Sequence, residues 1–344
     1  INGGNTAPDN CYAWSGMNAN GNIQGKDITY NSGGFSPEFG DIFEDDDAWN
    51  FAEDLPVLAD GNDEPGSNFP TYLYTSDGDF KGSGTQSDPY LINNKYDLIN
   101  LRNKVNGGEK FENKYFKQTA DIDLEGENWI PIGNANLPAE GKYFNGIYDG
   151  GSHVIKNMKI IEYSRFTGLF GIIGLEVTIK NLGIVDCDIQ VGGYVGAIAG
   201  TDRSSWNSKE TPKIINCYST GKLKSSRTTE GYVGGIIGAG DTVIRNCYST
   251  CSIDTENTAV DTAGQAGIMG RQSSNLSSIK NCVALNQYIN GNEANEKGNS
   301  NAARITNRQT EVKNIENNYA YAQMKVNKND ISMGDANYGD DKYH

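Results

Sequence analysis

Two short apolar phrases alternate along most of the chain, separated by polar stretches of uneven length. The first reads Ile-x-Asn and occurs at Ile155–Asn157, Ile179–Asn181, Ile214–Asn216, Ile244–Asn246, Ile279–Asn281 and Ile315–Asn317. Successive starts lie 24, 35, 30, 35 and 36 residues apart. The residue after the asparagine is Met158, Leu182, Cys217, Cys247, Cys282 and Asn318 in turn. The second phrase is glycine-rich: "GLFGIIG" from Gly168, "YVGAIAG" from Tyr194, "YVGGIIG" from Tyr232 and "GQAGIMG" from Gly264. A worn copy without glycines, "NAARITN", starts at Asn301. Self-similarity with periods of about 20–50 residues marks a solenoid, a propeller or an array.

The phrases are short, β-branched and bounded by glycine, which predicts strands rather than helices. In "IRNC" the isoleucine and the cysteine are three residues apart, so a straight strand would send them to opposite faces. A bend at the asparagine lets both point inward, and asparagine tolerates the left-handed conformation that such a bend needs. The pattern therefore predicts stacked coils, with asparagine at a repeated corner and a column of isoleucines beside it. This is an all-β parallel β-helix, whose coils bury a continuous core only by stacking. Polar stretches such as Thr201–Pro212 and Ser252–Gln265 read as loops leaving a constant rung. Glycines in "GGIIG" fit tight corners or close backbone approach. A four-stranded propeller blade does not fit the pattern.

Upstream, Gly82–Gly108 reads as a strand followed by a short helix around Lys95–Val105, with Leu98, Ile99, Leu101 and Val105 at helical spacing. A glycine pair ends it. This helix is placed as the N-terminal cap, covering strand edges that would otherwise stay open. The stretches "GTQSDPYLI", "YDLINLRNKVNGG", "YFKQTADIDL", "NWIPIG" and "FNGIYDGGSHVIKNMKI", followed by "GLFGIIG" and "VTIKNLGI", resemble the GLUG-motif family of bacterial secreted and surface proteins, in the usual order and over roughly Gly82 to Met324. The resemblance implies a right-handed β-helix outside the cell, associated with adhesion, and brings no catalytic residues with it.

The ends of the chain repeat each other. "NCYAWSGMNANGN" from Asn10 matches "NNYAYAQMKVNKN" from Asn317. Residues 1–60 accordingly read as the tail of a preceding unit of the same type, and residues 61–81 as a Gly/Pro/acid linker. Residues 82–160 hold the capping helix and first coils, 161–316 the repeats, and 317–344 the start of an incomplete tail. Three arrangements are compatible with this split: a tandem array, a piece cut from a longer protein, or a subunit whose N-terminal tail completes the next molecule in a head-to-tail filament.

Composition narrows the function. The chain has 344 residues with 44 acidic and 29 basic side chains, a formal net charge of −15. No basic stripe exists to displace counterions from phosphate, so nucleic acid is not expected as a partner. No apolar run reaches the roughly 18–20 residues that span a bilayer, so this segment is not membrane-spanning. Of six cysteines, Cys217, Cys247 and Cys282 share one repeat position with Leu182 and Met158. That points to small buried apolar residues, not disulfides, whose Cβ atoms would need to lie about 3.8 Å apart. No Cys-x-x-Cys or histidine-spaced metal pattern is present.

Candidate chemistry is sparse. Asp121, Asp123 and Glu125 fall on alternate positions of "DIDLEG", which resembles the start of a calcium loop, but position 12 is Ile132 rather than a bidentate glutamate. They are the calcium candidates, beside the plainer reading of a solvated strand face and turn. The only histidines are His153 and His344, which form no triad. Tyr194, Tyr218, Tyr232 and Tyr248 recur by position; Tyr218 and Tyr248 are the candidate ligand contacts, stacked outward if Cys217 and Cys247 point in. The alternative is a ladder that only stabilises the sheet. The chain thus reads as an extracellular or cell-surface β-helix module, not an enzyme and needing no cofactor. It would act in adhesion or as a structural spacer, with a host or matrix glycan or protein, or another copy of itself, as partner. A filament subunit and a carbohydrate-binding or carbohydrate-active β-helix are the alternatives.

Overall fold

The computed structural model divides into two compact units, Ile1–Asp79 and Phe80–His344. In the first, only strand backbones between Tyr12 and Leu58 are described. In the second, the described residues run from 80 to 326, apart from 134–140, 162–164, 204–209, 227–230, 256–262, 275, 291–301 and 307–313, with a last strand at Asn329–Asp330. The expectations for the rest of 1–60, the linker, Cys11, His344 and the end of the tail lie outside the described residues.

In the first unit, Tyr12–Trp14 pairs in parallel with Lys26–Ile28, and two short antiparallel pairs follow. Tyr12–Trp14 and Tyr319–Ala320 occupy matching places in the two copies of the tail phrase, and both are strands.

The second unit is a parallel β-solenoid of about five turns, with one helix among the described residues. One eight-stranded sheet runs from Tyr90–Ile92 to Ile315–Glu316. Within it Ile179, Ile214, Ile244, Ile279 and Ile315 stand in register, and none is more than 3% exposed. The column continues downward as Tyr148 and Phe116. A twelve-stranded sheet starts with Ile122–Asp123 and Val154–Lys156 and continues through the long strands Gly183–Val191 and Tyr218–Ser225. Beyond these, each coil contributes two short strands, the last being Tyr319–Ala320 and Lys325–Val326. The glycine-rich phrases build a five-stranded and a four-stranded sheet. The worn copy still pairs, since Ala302–Ala303 joins the strand Ala263–Ala266 and Thr306 bridges to Met269.

The corner between the first two sheets follows the sequence argument. Asn181, Asn216, Asn246 and Asn281 all have φ between 53° and 56°. Each amide nitrogen donates to the asparagine of the coil before: Asn281 to Asn246 at 3.2 Å, Asn246 to Asn216 at 3.0 Å, Asn216 to Asn181 at 3.1 Å. Asp149 heads the ladder and accepts from Asn181 at 2.9 Å. The bend brings both Ile244 and Cys247 into the core.

One reading of the repeat is corrected here. Ile155–Asn157 does not belong to this column: Ile155 pairs with Ile122 and Ile184, in the twelve-stranded sheet. Met158 therefore does not share the position of Leu182 and Cys217. Two early coils have a second left-handed corner, occupied by Asn157 (φ 57°) and then Asp186 (φ 53°), and a strand entering it has the same local signature. The short spacing to the next phrase reflects that change of sheet.

The glycines serve close approach. A Cβ on Gly235 would lie 2.2 Å from the carbonyl oxygen of Gly267 in the following coil. At the N-terminal end the helix α1, Lys95–Asn106, is capped by Asn94, whose side chain accepts from the amides of Tyr96 and Asp97. It buries Leu98, Ile99, Leu101 and Val105 in the same core as the stacked coils. Phe80, Phe111, Phe116, Phe144 and Phe170 join one aromatic cluster in the first coils. Strand Tyr90–Ile92, immediately before α1, is the terminal strand of the first sheet. The helix thus stands where the sheet would otherwise end on an open edge.

Candidate functional site

The outer face of the twelve-stranded sheet carries the exposed aromatics. Strand alternation sends Cys217 and Cys247 inward and their neighbours Tyr218 and Tyr248 outward. The strands pair residue for residue, Tyr218 with Tyr248. Their rings stack with centroids 4.8 Å apart and planes 6° from parallel. Beneath them Gly183 takes the same column, and a Cβ there would come within 2.5 Å of the Tyr218 ring. The column runs on through Val283 to Tyr319, which is 57% exposed. Tyr288 and Tyr321 stand exposed in the same last coils. Sequence reading missed these three; for Tyr319 the signal was present, since it follows Ile315 by four residues as Tyr218 follows Ile214 and Tyr248 follows Ile244.

The other pair of recurring tyrosines belongs elsewhere. Tyr232 is buried and Tyr194 is half-buried on the five-stranded sheet. Their rings meet edge to face, 4.9 Å apart at 76°. Arg271 lies over the Tyr232 ring, 4.8 Å from its centroid, and donates to the Tyr232 hydroxyl. Arg165 likewise lies over the Tyr194 ring, 6.0 Å from its centroid, so an arginine covers each of these rings.

The candidate calcium residues are committed to protein partners. Asp121 and Asp123 flank buried Ile122 and face outward. Asp121 accepts from the Val154 amide at 3.1 Å and lies 3.2 Å from Nδ1 of His153. Its pKa is lowered, chiefly by the Val154 hydrogen bond. Asp123 accepts from Asn157 Nδ2 and the Glu125 amide, each at 2.8 Å, and from Lys156 Nζ at 3.3 Å. Burial works against its ionisation, but these donors leave its pKa lowered. Glu125 comes after the bend, at φ 58°, and pairs with Lys95 of α1 at 2.5 Å. Strand alternation thus keeps the two aspartates together and the corner takes Glu125 away. Among the described residues no group of three side chains could hold a metal ion.

The thiols are core residues. Cys187, Cys217, Cys247, Cys251 and Cys282 are all free and buried. Cys217, Cys247 and Cys282 occupy one position in successive coils, and each thiol donates to the carbonyl two residues earlier, at 3.2–3.3 Å. Burial and the neighbouring Cys217 push the Cys247 pKa up. At Cys247 the thiolate needed for nucleophilic or metal chemistry is therefore disfavoured, whereas the hydrogen bond with Cys187 lowers the pKa of Cys251.

No protein-family model matches the chain. It is 27% identical over 141 residues to halomucin of Haloquadratum walsbyi, a match covering 37% of this chain and 2% of that protein. It is 35% identical over 127 residues to a "Putative Gly-rich membrane protein" of Evansella cellulosilytica, covering 35% of this chain and 14% of the relative. The chain therefore spans a small fraction of the length of either relative. A crystal structure described as a "putative immunoglobulin A1 protease" from Bacteroides ovatus superposes with a TM-score of 0.53 at 26% identity, over 74% of this chain and 82% of that one. The likeness to the Bacteroides ovatus chain is one of fold. Among the described residues no helix is long and apolar enough to cross a membrane.

Proposed function

We propose that the chain is a GLUG-type β-solenoid module of a secreted or cell-surface protein, and that it adheres through the outer face of its twelve-stranded sheet. The observation that carries this reading is the column of outward tyrosines, Tyr218, Tyr248 and Tyr319, on a sheet whose inner face is fully packed. Tyrosine offers a flat apolar face and a polar tip, the combination favoured where a surface is meant to be covered. The names of the halomucin and membrane-protein relatives support a surface setting. The partner is a host or matrix glycan or protein.

The test is retention of the purified chain on surfaces coated with mucin, matrix proteins or cultured cells. Retention on at least one surface is expected, falling several-fold when Tyr218, Tyr248 and Tyr319 are all replaced by alanine. No retention on any of them refutes adhesion and leaves the spacer role. A second, proteolytic reading comes only from the description of the Bacteroides ovatus chain. Incubation with immunoglobulin A1 decides it, since unchanged heavy chains after prolonged exposure would remove it.

A further inference from the structure

Beyond the stacked tyrosines, the last coils enclose a cleft of about 560 Å³ lined by Gln287, Tyr288, Tyr321, Gln323, Met324 and Lys325. We propose that this cleft is a saccharide-binding site for an uncharged glycan, an inference that rests on the adhesive reading above and adds to the tyrosine column a second contact with its own ligand class.

The site is built by two features of the coil. Tyr288–Ile289 and Lys325–Val326 pair in parallel, which sets Tyr288 beside Lys325 on the outer face. Between Tyr321 and Met324 the chain makes a tight turn, closed by the Met324 amide donating to the Tyr321 carbonyl at 3.0 Å. The turn is tied to the preceding coil through the Tyr321 amide and the Ala284 carbonyl, 2.8 Å apart. Met324 is buried and forms the floor, while Tyr288 and Tyr321 are each 38% exposed.

The chemistry fits a sugar. Two tyrosine rings give apolar surface for the C–H face of a pyranose. The Tyr321 hydroxyl donates to Gln323 Oε1 at 2.8 Å, which orients that amide and leaves its NH₂ as a donor. Gln287 is exposed, and its side-chain amide offers both a donor and an acceptor. Paired donors and acceptors around apolar faces match a polyhydroxylated ring better than a hydrophobic peptide segment. The volume falls within the usual range of about 300–1,000 Å³ for small-ligand sites. With a net charge of −15 over the chain, long-range electrostatics disfavour sulfated or sialylated glycans relative to neutral ones.

The experiment uses the full chain against an immobilised panel of neutral, sulfated and sialylated oligosaccharides, followed by calorimetric titration of the strongest neutral binder. Peptides displayed on the same array form a separate arm. Tyr288→Ala and Tyr321→Ala are each expected to weaken saccharide binding at least tenfold, and Gln323→Ala several-fold. Circular dichroism checks that every variant keeps the wild-type fold. Conservative Tyr321→Phe retains the ring and should keep most of the affinity. Absence of saccharide binding at millimolar concentration overturns the proposal. So does binding confined to anionic glycans or peptides, or binding insensitive to Tyr288 and Tyr321. If the chain adheres to a coated surface but the cleft variants adhere equally well, the site fails while the surface reading stands. If the chain binds a neutral sugar in solution but is retained on no surface, adhesion fails and the site stands.

Discussion

Asn246 stands in the middle of the asparagine ladder, donating to Asn216 at 3.0 Å and accepting from Asn281 at 3.2 Å, with φ at 54°. Two contributions meet in this one residue and can be separated by two substitutions. Asn246→Ala removes both side-chain hydrogen bonds and forces a Cβ residue with no local polar compensation into the left-handed region. The backbone part costs about 1–2 kcal/mol. The hydrogen bonds lie at the surface where water replaces them, so each is worth about 0.5 kcal/mol, the low end of the usual range. The expected loss for the alanine variant is therefore about 2–3 kcal/mol. Asn246→Gly removes the same hydrogen bonds but accepts the left-handed corner freely, so its loss should be about 1–1.5 kcal/mol, including the greater freedom of glycine in the unfolded chain. Urea unfolding followed by circular dichroism compares the two midpoints, valid while the slopes match. A slope change would show that the coils have uncoupled. The reasoning is refuted if glycine proves as damaging as alanine, because the left-handed corner would then contribute nothing.

Other consequences are as open to measurement. Gly235→Ala would drive a Cβ to within 2.2 Å of the Gly267 carbonyl oxygen, backbone against backbone, and should destabilise the fold by about 3 kcal/mol or prevent soluble expression, read by urea midpoint. Asp149 has its pKa lowered from 3.8: burial opposes ionisation, but hydrogen bonds from Asn181, the Gly151 amide and Lys180 outweigh it. A depressed folded-state pKa contributes stability above the unfolded value that is lost as pH falls through the folded one. Melting temperature should therefore drop more steeply below pH 4 in the wild type than in Asp149→Asn, and equal acid slopes would count against the ladder-head role. The five buried thiols should resist a thiol reagent in the native chain and all react in denaturant; fast native labelling of any of them would contradict their burial. Gly183→Ala should tilt Tyr218 off its stack with Tyr248, visible as altered near-ultraviolet dichroism with little change in the far-ultraviolet.

Periodicity alone was enough for the coil, the inward isoleucines and cysteines, the left-handed asparagines and the helix that starts at Lys95, because each of these depends on residues a few positions apart. The stacking of Tyr218 on Tyr248 was also legible, since identical phrases in successive coils must align. Which Ile-x-Asn phrase belongs to which sheet was not, because Asn157 and Asn181 satisfy the same local rule and only the partner strand tells them apart. Tyr194 and Tyr232 recur as regularly as Tyr218 and Tyr248, yet an arginine lies over each ring. Glu125 alternates with Asp121 and Asp123 along the chain, but a corner at φ 58° turns it toward Lys95. The cleft between Tyr288 and Tyr321 depends on two segments brought together by strand pairing and a turn, with no motif to announce it. Short-range rules are written in the order of residues, so the sequence by itself determined the repeat and its corners. Exposure, pocket formation and the choice of sheet are set by contacts between coils about 35 residues apart, and only the tertiary structure decided those.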